Sequence, residues 1–300
     1  MLQGSLQRSG GLPAIRRLQK MTGSVRGRKS TAGPAERVVV LKGEGDAAQE
    51  PDGMKDRVFG GDPFALLRRR WNVLPAGNGR VAAADLMALS DAELLTTWHR
   101  LRDDATTGPA FGVRGWYHTL YRDVLAGRTA VDVGAGLGLD GLTFAAHGAR
   151  MIFVDIVEDN LALLRRLAGL LDVREASYLY LDDLAALRTL PDRVDVIWCQ
   201  GSMINVPFGF AAREASALLE HLPVGGRWIE LAYPRARWER EGALPFHLWG
   251  ERTDGPGTPW VEWYDRDRLL RRLEPAAFDV VLDIEFHNCQ LVWFDLCRIR

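Results

Sequence analysis

The sequence predicts an α/β protein with a doubly wound, mostly parallel sheet that follows an N-terminal helical cap. Residues 129–138, TAVDVGAGLG, form an apolar strand that runs directly into a glycine turn. A second apolar strand, residues 150–154, ends on Asp155, about twenty residues beyond the glycines. Because glycine can adopt positive φ and expose its backbone amides, this strand, turn and acid are typical of a nucleotide-binding βαβ unit.

The composition limits the kinds of protein that the chain can be. Its 300 residues, 47% of them hydrophobic, are enough for one large domain or one domain with an extension. A net charge of -1 gives no overall attraction for nucleic acid, so we expect no nucleic-acid partner. No apolar run reaches the roughly eighteen residues that a membrane span needs, so we expect a cytoplasmic protein without a membrane partner. Cys199, Cys289 and Cys297 lack C-x-x-C spacing and are predicted to be buried free thiols.

The first part of the chain, residues 1–55, differs in composition from the rest. It is rich in Gly, Ser and Arg, and its first acidic residue is Glu36. This composition predicts a flexible or disordered tail, with an organelle transit peptide as the alternative. Met54 can serve as the functional start of the chain, so a deletion up to Met54 is expected to be harmless.

Residues 56–127 are predicted to form the helical cap. Asp62 followed by Pro63 is a helix start, and Ser90 with Glu93 matches a capping box. An aromatic helix over residues 116–121 then leads into the first strand of the sheet. Its side chains Tyr117, His118 and Tyr121 either line a ligand cleft or pack the cap against the sheet.

The glycine turn alone does not identify its ligand, because residues 136–141 also satisfy the dinucleotide pattern G-x-G-x-x-G. Asp132, two residues before the first glycine, would repel a pyrophosphate and suits a cationic ligand. The run Asp132-Val-Gly134-Ala-Gly136-Leu-Gly138 resembles the first motif, Asp/Glu-x-Gly-x-Gly-x-Gly, of the class I S-adenosylmethionine-dependent methyltransferases. The resemblance covers about residues 112–300 and continues through Val154-Asp155-Ile156, residues 181–184, residues 194–198 and residues 218–230.

The resemblance implies a Rossmann-like core over residues 128–300, with a seven-stranded sheet whose last strand is antiparallel to the rest. It implies S-adenosylmethionine as the cofactor and a small molecule as the methyl acceptor, which attacks the sulfonium methyl by in-line displacement. The residues expected to bind the cofactor are Asp132, Gly134, Ala135, Gly136, Gly138, Asp155, Ile156, Asp182, Asp183, Gln200 and Gly201.

The acceptor is predicted to be small because the fourth strand is followed by Gln200-Gly201-Ser202. Methyltransferases that act on the amines of nucleic-acid bases or of glutamine usually carry Asn/Asp-Pro-Pro-aromatic there. Residues 234–264 are rich in aromatic and acidic side chains and are predicted to form a substrate lid, although these tryptophans can equally form the lid's own core. The candidate substrate-binding residues are Tyr117, Tyr121, Ser202, Asn205, Tyr233, Trp238, Trp260 and Trp263.

The sequence does not decide between a hydroxyl and an amine acceptor. A hydroxyl needs a base, and the candidate bases are His118, Glu230, His247 and His287. No histidine pair has metal-ligand spacing, so we expect no metal. Two alternatives remain: a binding or regulatory subunit with this fold and no turnover, and a nicotinamide-dependent oxidoreductase.

Overall fold

The computed structural model describes residue 59, residues 62–76 and residues 79–300. The predicted flexible tail, residues 1–55, and the proposed start at Met54 lie outside this part of the chain.

The central element is a seven-stranded sheet that follows a small antiparallel hairpin. The hairpin consists of β1 (Val73–Ala76) and β2 (Gly79–Ala82). The strands of the sheet are β3 (Thr129–Val133), β4 (Arg150–Asp155), β5 (Ala176–Tyr180), β6 (Val196–Gln200), β7 (Arg227–Ala232), β8 (Phe278–Phe286) and β9 (Leu291–Arg298). Their order is β5-β4-β3-β6-β7-β9-β8, and β9 runs antiparallel to the other six strands. The predicted doubly wound sheet with an antiparallel last strand is confirmed.

Helices cover both faces of this sheet. They are α1 (Pro63–Trp71), α2 (Ala83–Met87), α3 (Asp91–Thr106), α4 (Gly115–Val124), α5 (Gly141–Ala145), α6 (Glu158–Leu170), α7 (Phe208–Leu219), α8 (Arg235–Arg240), α9 (Phe246–Asp254) and α10 (Arg266–Arg272). Short 3₁₀ turns occupy Gly108–Gly112, Leu184–Thr189 and Met203–Asn205. No helix within the described ranges is long and apolar enough to cross a membrane.

The central strands form because their side chains are apolar on both faces. Residues 130–133 of β3 and 151–155 of β4 are all buried, as expected for parallel strands covered by helices on both sides. One core cluster contains Val131 and Trp228, and a second contains Ala130 and Trp293, so alternate residues of one strand enter opposite cores.

The cap contains the predicted helix starts and one element that the sequence patterns did not predict. The Asp62 side chain accepts a hydrogen bond from the Phe64 amide, and Ser90 and Glu93 form both bonds of a capping box. The hairpin Val73–Ala82 was not predicted, because its strands have only four residues each and one contains proline.

The segment 234–264, predicted to be a substrate lid, contains the helices α8 and α9. Trp260 is 1% exposed and Trp263 is 2% exposed, and both belong to the core cluster that also contains Trp228 of β7. These burials favour the alternative in which the tryptophans form a core.

The cysteines are free thiols, but only Cys199 is fully buried. Cys289 lies in the turn between β8 and β9 with a φ of 53°, and Cys297 is partly exposed. The prediction that all three are buried is therefore wrong for two of them. Cys289 is not buried, because the apolar run around it contains a turn.

Candidate functional site

Two adjoining cavities lie at the carboxyl ends of β3, β4 and β6, where ligands bind in a doubly wound sheet. We call them the Asp155 cavity and the Asp132 cavity after a carboxylate that lines each one. With the solvent space at their open mouths included, their volumes are about 730 Å³ and 600 Å³. Gly134 and Gln200 line both cavities, so one ligand can extend from one into the other.

The glycine turn has the backbone conformation that the sequence predicts. The φ angles of Gly134, Gly136 and Gly138 are 72°, 54° and 65°, in the left-handed region that favours glycine. A Cβ on Gly134 would lie 2.5 Å from the Cβ of Ser202, which follows β6. A side chain at this position would therefore push apart the two chain segments that meet at the cavities.

Asp155 is held in one orientation at the end of β4. Its Oδ2 accepts a hydrogen bond from the Gly136 amide at 2.9 Å, and its Oδ1 accepts from the Val157 amide at 2.8 Å and from Asn160 Nδ2 at 3.2 Å. Burial raises the pKa of Asp155, and these donors oppose that shift. A carboxylate can accept about four hydrogen bonds, so capacity remains for a ligand hydroxyl.

The Asp155 cavity is lined by polar atoms that have no hydrogen-bond partner among the described residues. They are Gln200 Oε1 and Nε2, Ser202 Oγ, Asn205 Oδ1 and Asn160 Oδ1, all on residues that line this cavity. A buried polar atom without a partner costs about 1–3 kcal/mol. Their clustering at one cavity indicates that a polar ligand or water completes these bonds.

The Asp132 cavity carries charges of both signs. Asp140 accepts hydrogen bonds from Arg114 Nη1 and pairs with His118 Nε2, each at 2.6 Å. Burial opposes ionisation of Asp140, but Arg114 and His118 hold its pKa well below its usual range. Burial raises the pKa of Asp132, and the nearby Asp140 and Asp155 add to this shift. The arrangement can bind a zwitterion, with its cation near Asp132 and its anion near Arg114.

Most of the predicted cofactor residues come together at these cavities. Those that line one or both are Asp132, Gly134, Ala135, Gly136, Asp155, Ile156, Gln200 and Gly201. Gly138 lines neither, and a Cβ there would lie 2.2 Å from Leu164 Cδ2, so it serves the packing of the turn. Asp182 and Asp183 are exposed and line neither cavity, because Asp183 caps the 3₁₀ turn that follows and its amide donates to Asp182.

Of the predicted substrate residues, only Ser202 and Asn205 line a cavity. The others are occupied elsewhere by packing or hydrogen bonds. Tyr117 stacks on Trp293 at 4.5 Å, Tyr121 donates to Asp295, Tyr233 donates to Asp254, Trp238 donates to the Leu244 carbonyl, and Trp260 and Trp263 are buried in the core. These six side chains line neither cavity, so their assignment to the acceptor site stays a prediction that the cavity linings do not support.

None of the predicted bases lines either cavity. Glu230 is in the middle of β7, where it forms a fully buried ion pair with Arg272 and accepts from Trp228 Nε1. His118 lies behind Asp140, which lines the Asp132 cavity. His247 belongs to α9, and His287 is exposed in the turn after β8. His287 lies at the same edge of the sheet as the cavities, but β8 is the outermost strand, three positions from β6 in the sheet.

Sequence reasoning missed several residues that line the cavities. They are Phe64, Leu67, Trp71, Leu74, Arg114, Asn160, Phe210 and Glu214, among others. Glu214 could have been found, because it shares a helical stripe with Ala211, Ala215 and Leu218, where only an apolar residue is expected. Arg114 has no comparable signal, since it is one of many arginines in the chain.

No model of a protein family matches the sequence, and no curated protein matches it. Solved structures do resemble it. The magnesium protoporphyrin IX methyltransferase of Synechocystis PCC 6803 with bound S-adenosylhomocysteine is 17% identical, with a TM-score of 0.47 over 68% of this chain and 94% of that chain. The N-methyltransferase NodS of Bradyrhizobium japonicum WM9 is 13% identical, with a TM-score of 0.48 over 73% and 97%. The 1,6-didemethyltoxoflavin N1-methyltransferase of Burkholderia thailandensis is 16% identical, with a TM-score of 0.47 over 76% and 95%.

Likenesses at such low identity concern the fold, and the fold is established by the sheet itself. The strand order β5-β4-β3-β6-β7-β9-β8, with an antiparallel last strand, gives this chain the Rossmann-like fold of the class I S-adenosylmethionine-dependent methyltransferases.

Proposed function

We propose that this protein is an S-adenosylmethionine-dependent methyltransferase that methylates a hydroxyl or an amine of a small molecule. The observation that carries the proposal is the junction of the two cavities at Gly134 and Gln200. A carboxylate fixed beside the glycine turn lines one cavity, and a mixed-charge site lines the other. This pairing suits a ligand that is a nucleoside at one end and an amino acid at the other.

The residues present fit both ends of this cofactor. Asp155 can accept hydrogen bonds from ribose hydroxyls, and the unpartnered atoms of Asn160 and Gln200 can complete bonds to the same ligand. In the other cavity, Asp132 suits the amino group of the methionine moiety, and Arg114 suits its carboxylate. The positive φ of Gly134 lets the backbone approach the ligand without a Cβ in the way. When bound, the cofactor supplies an electrophilic methyl group.

The protein's share of such a reaction is to hold the acceptor close, aligned and away from water. The Asp155 cavity has apolar walls for this purpose, from Phe64, Leu67 and Trp71 of α1 and from Phe210 of α7. Ser202 Oγ and Asn205 Oδ1 are unpartnered in this cavity and can orient a polar acceptor. The walls and the polar atoms together suit a small molecule with an aromatic or apolar body.

A thermal-shift comparison tests the cofactor. S-adenosylhomocysteine at about a hundred times its Kd should stabilise the folded protein by about 2.7 kcal/mol, whereas NAD(H) should leave its Tm unchanged. Transfer of labelled methyl from S-adenosylmethionine to a pool of small molecules then tests turnover. Stabilisation by NAD(H) alone would favour an oxidoreductase. Binding of S-adenosylhomocysteine without transfer to any compound of the pool would favour a binding or regulatory subunit.

A further inference from the structure

Glu214 is a buried carboxylate that the proposed cofactor contacts leave unexplained. It lies on α7, is 7% exposed and lines the Asp155 cavity. Within the described part of the chain, its carboxylate has no hydrogen bond or ion pair. The nearest opposite charge, Arg272, is already paired with Glu230, and it acts on Glu214 only through its field.

A carboxylate in this position is costly unless something binds it. Burial, opposed by Arg272, raises the pKa of Glu214 to about 7, so both of its protonation states are accessible near neutral pH. Transferring a polar group out of water without a partner is unfavourable, and buried charges are normally paired. Glu214 lines the cavity and is not among the residues whose polar atoms are fully enclosed without a partner, so a ligand in the cavity can donate a hydrogen bond to its carboxylate.

The surroundings of Glu214 restrict the chemistry of that ligand. Phe64 and Phe210 contact each other edge to face with their ring centroids 5.4 Å apart, and both line the same cavity. Asn205 Oδ1 is a second acceptor without a partner there. The Glu214 carboxylate and Asn205 Oδ1 are two hydrogen-bond acceptors between aromatic walls, and they suit a flat or apolar ligand with an N–H donor. The negative charge of ionised Glu214 disfavours ligands with a phosphate or a carboxylate.

We propose that Glu214 forms an amine subsite of the Asp155 cavity, which binds the amino group of an aromatic or heteroaromatic ligand. The identity of that ligand rests on the proposed function. The amino group belongs either to the methyl acceptor, which is then an amine, or to the adenine ring of the cofactor. Both sources share the same chemistry at Glu214, and they can be separated by experiment.

The test uses Glu214→Gln, which keeps the shape of the side chain and removes its charge, with Glu214→Met as a second variant if the first does not fold. Glu220→Gln, exposed at the end of the same helix, is the matched control. One arm measures the Kd of S-adenosylhomocysteine and of S-inosylhomocysteine, which lacks the amino group of the adenine ring. The other measures the Kd of benzylamine and of benzyl alcohol, with the protein saturated with S-adenosylhomocysteine.

The preference in each arm is the ratio of the Kd of the ligand without the amino group to the Kd of the ligand with it. In one of the two arms, this ratio should fall about tenfold or more in Glu214→Gln and stay unchanged in Glu220→Gln. A loss in the first arm assigns the subsite to adenine, and a loss in the second assigns it to an amine acceptor. The inference is overturned if both preferences stay within twofold of wild type in a folded variant. Failure of the wild-type protein to bind S-adenosylhomocysteine would instead count against the proposed function, and benzylamine alone would then test the subsite.

Discussion

Asp155 Oδ2 accepts a hydrogen bond from the backbone amide of Gly136 at 2.9 Å. The acid at the end of β4 and the glycine turn after β3 are therefore one unit rather than two separate features. The hydrogen bond fixes both the carboxylate and the turn before any ligand arrives. Such pre-organisation reduces the entropy that binding would otherwise lose.

The first prediction concerns this acid. Asp155→Asn removes the charge and turns one of the two accepting oxygens into an NH2 donor that faces a protein N–H group. The Kd of S-adenosylhomocysteine should therefore rise at least tenfold, since hydrogen bonds to a charged group contribute about 1.5–3 kcal/mol. Isothermal titration calorimetry measures the change. Asp182→Asn, at an exposed acid that lines neither cavity, should stay within about threefold of wild type. Equal Kd values for Asp155→Asn and wild type would remove Asp155 from the ligand site.

The second prediction concerns the contact of the glycine turn with the segment after β6. Gly134→Ala and Gly127→Ala both place a side chain at a φ near 70°, which costs roughly 1–2 kcal/mol. Only the Gly134 variant also places its Cβ 2.5 Å from Ser202, whereas nothing lies within 4 Å at Gly127. In urea unfolding, Gly134→Ala should be less stable than Gly127→Ala by at least about 1 kcal/mol. Adding Ser202→Gly should recover part of that difference, and equal stabilities of the two alanine variants would show that the turn adjusts freely.

The third prediction concerns the tryptophans of segment 234–264. Trp260 is 1% exposed in the core, so Trp260→Ala should lower the free energy of unfolding by about 3–5 kcal/mol. Trp71 is half-buried at the Asp155 cavity, so Trp71→Ala should lower the free energy of unfolding by less than half as much. Urea unfolding followed by circular dichroism measures both. A stable Trp260→Ala variant with a specific loss of acceptor turnover would restore the interpretation of this segment as a substrate lid.

The fourth prediction concerns pH and Glu214. Its pKa is about 7 in the folded protein and 4.5 in a solvated reference, so the folded state binds the extra proton between these values. Stability should therefore fall as pH rises from 4.5 to 7, by roughly 3 kcal/mol from this group. Glu214→Gln cannot titrate there. In urea unfolding, the free energy of unfolding of Glu214→Gln minus that of wild type should increase by roughly that amount between pH 4.5 and pH 8. A difference that does not change with pH would show that Glu214 is solvated.

The sequence predicts the sheet well, and it also identifies most of the glycine-turn and strand-end residues that line the half of the site proposed for the cofactor, because both depend on local patterns. A buried parallel strand is a continuous apolar run, and a glycine turn needs glycines at fixed spacing. Asp155 follows from its place at the end of such a strand, at the edge of the sheet where ligands bind in this kind of fold.

The acceptor half is poorly predicted, since its walls are brought together by tertiary packing. Glu230 is a plausible base in the sequence, but its position within β7 directs it to Arg272 in the core. Trp260 looks like a ligand-stacking residue, yet it is buried in the core, where it packs edge to face against Phe246 of α9. Phe64 and Phe210, far apart in the chain, meet only because α1 lies against α7.

The division of the Asp155 cavity between two stretches of chain has an evolutionary consequence. Asp155 and the glycine turn belong to the first two parallel strands, whereas Phe64, Leu67 and Trp71 come from a helix that precedes the sheet by more than fifty residues. Exchange of that helix can alter which compounds fit, while the cofactor half and the sheet stay unchanged. Ligand preference in this architecture can thus change through α1, provided that its replacement keeps the buried contacts of Phe64 and Leu67 with the core.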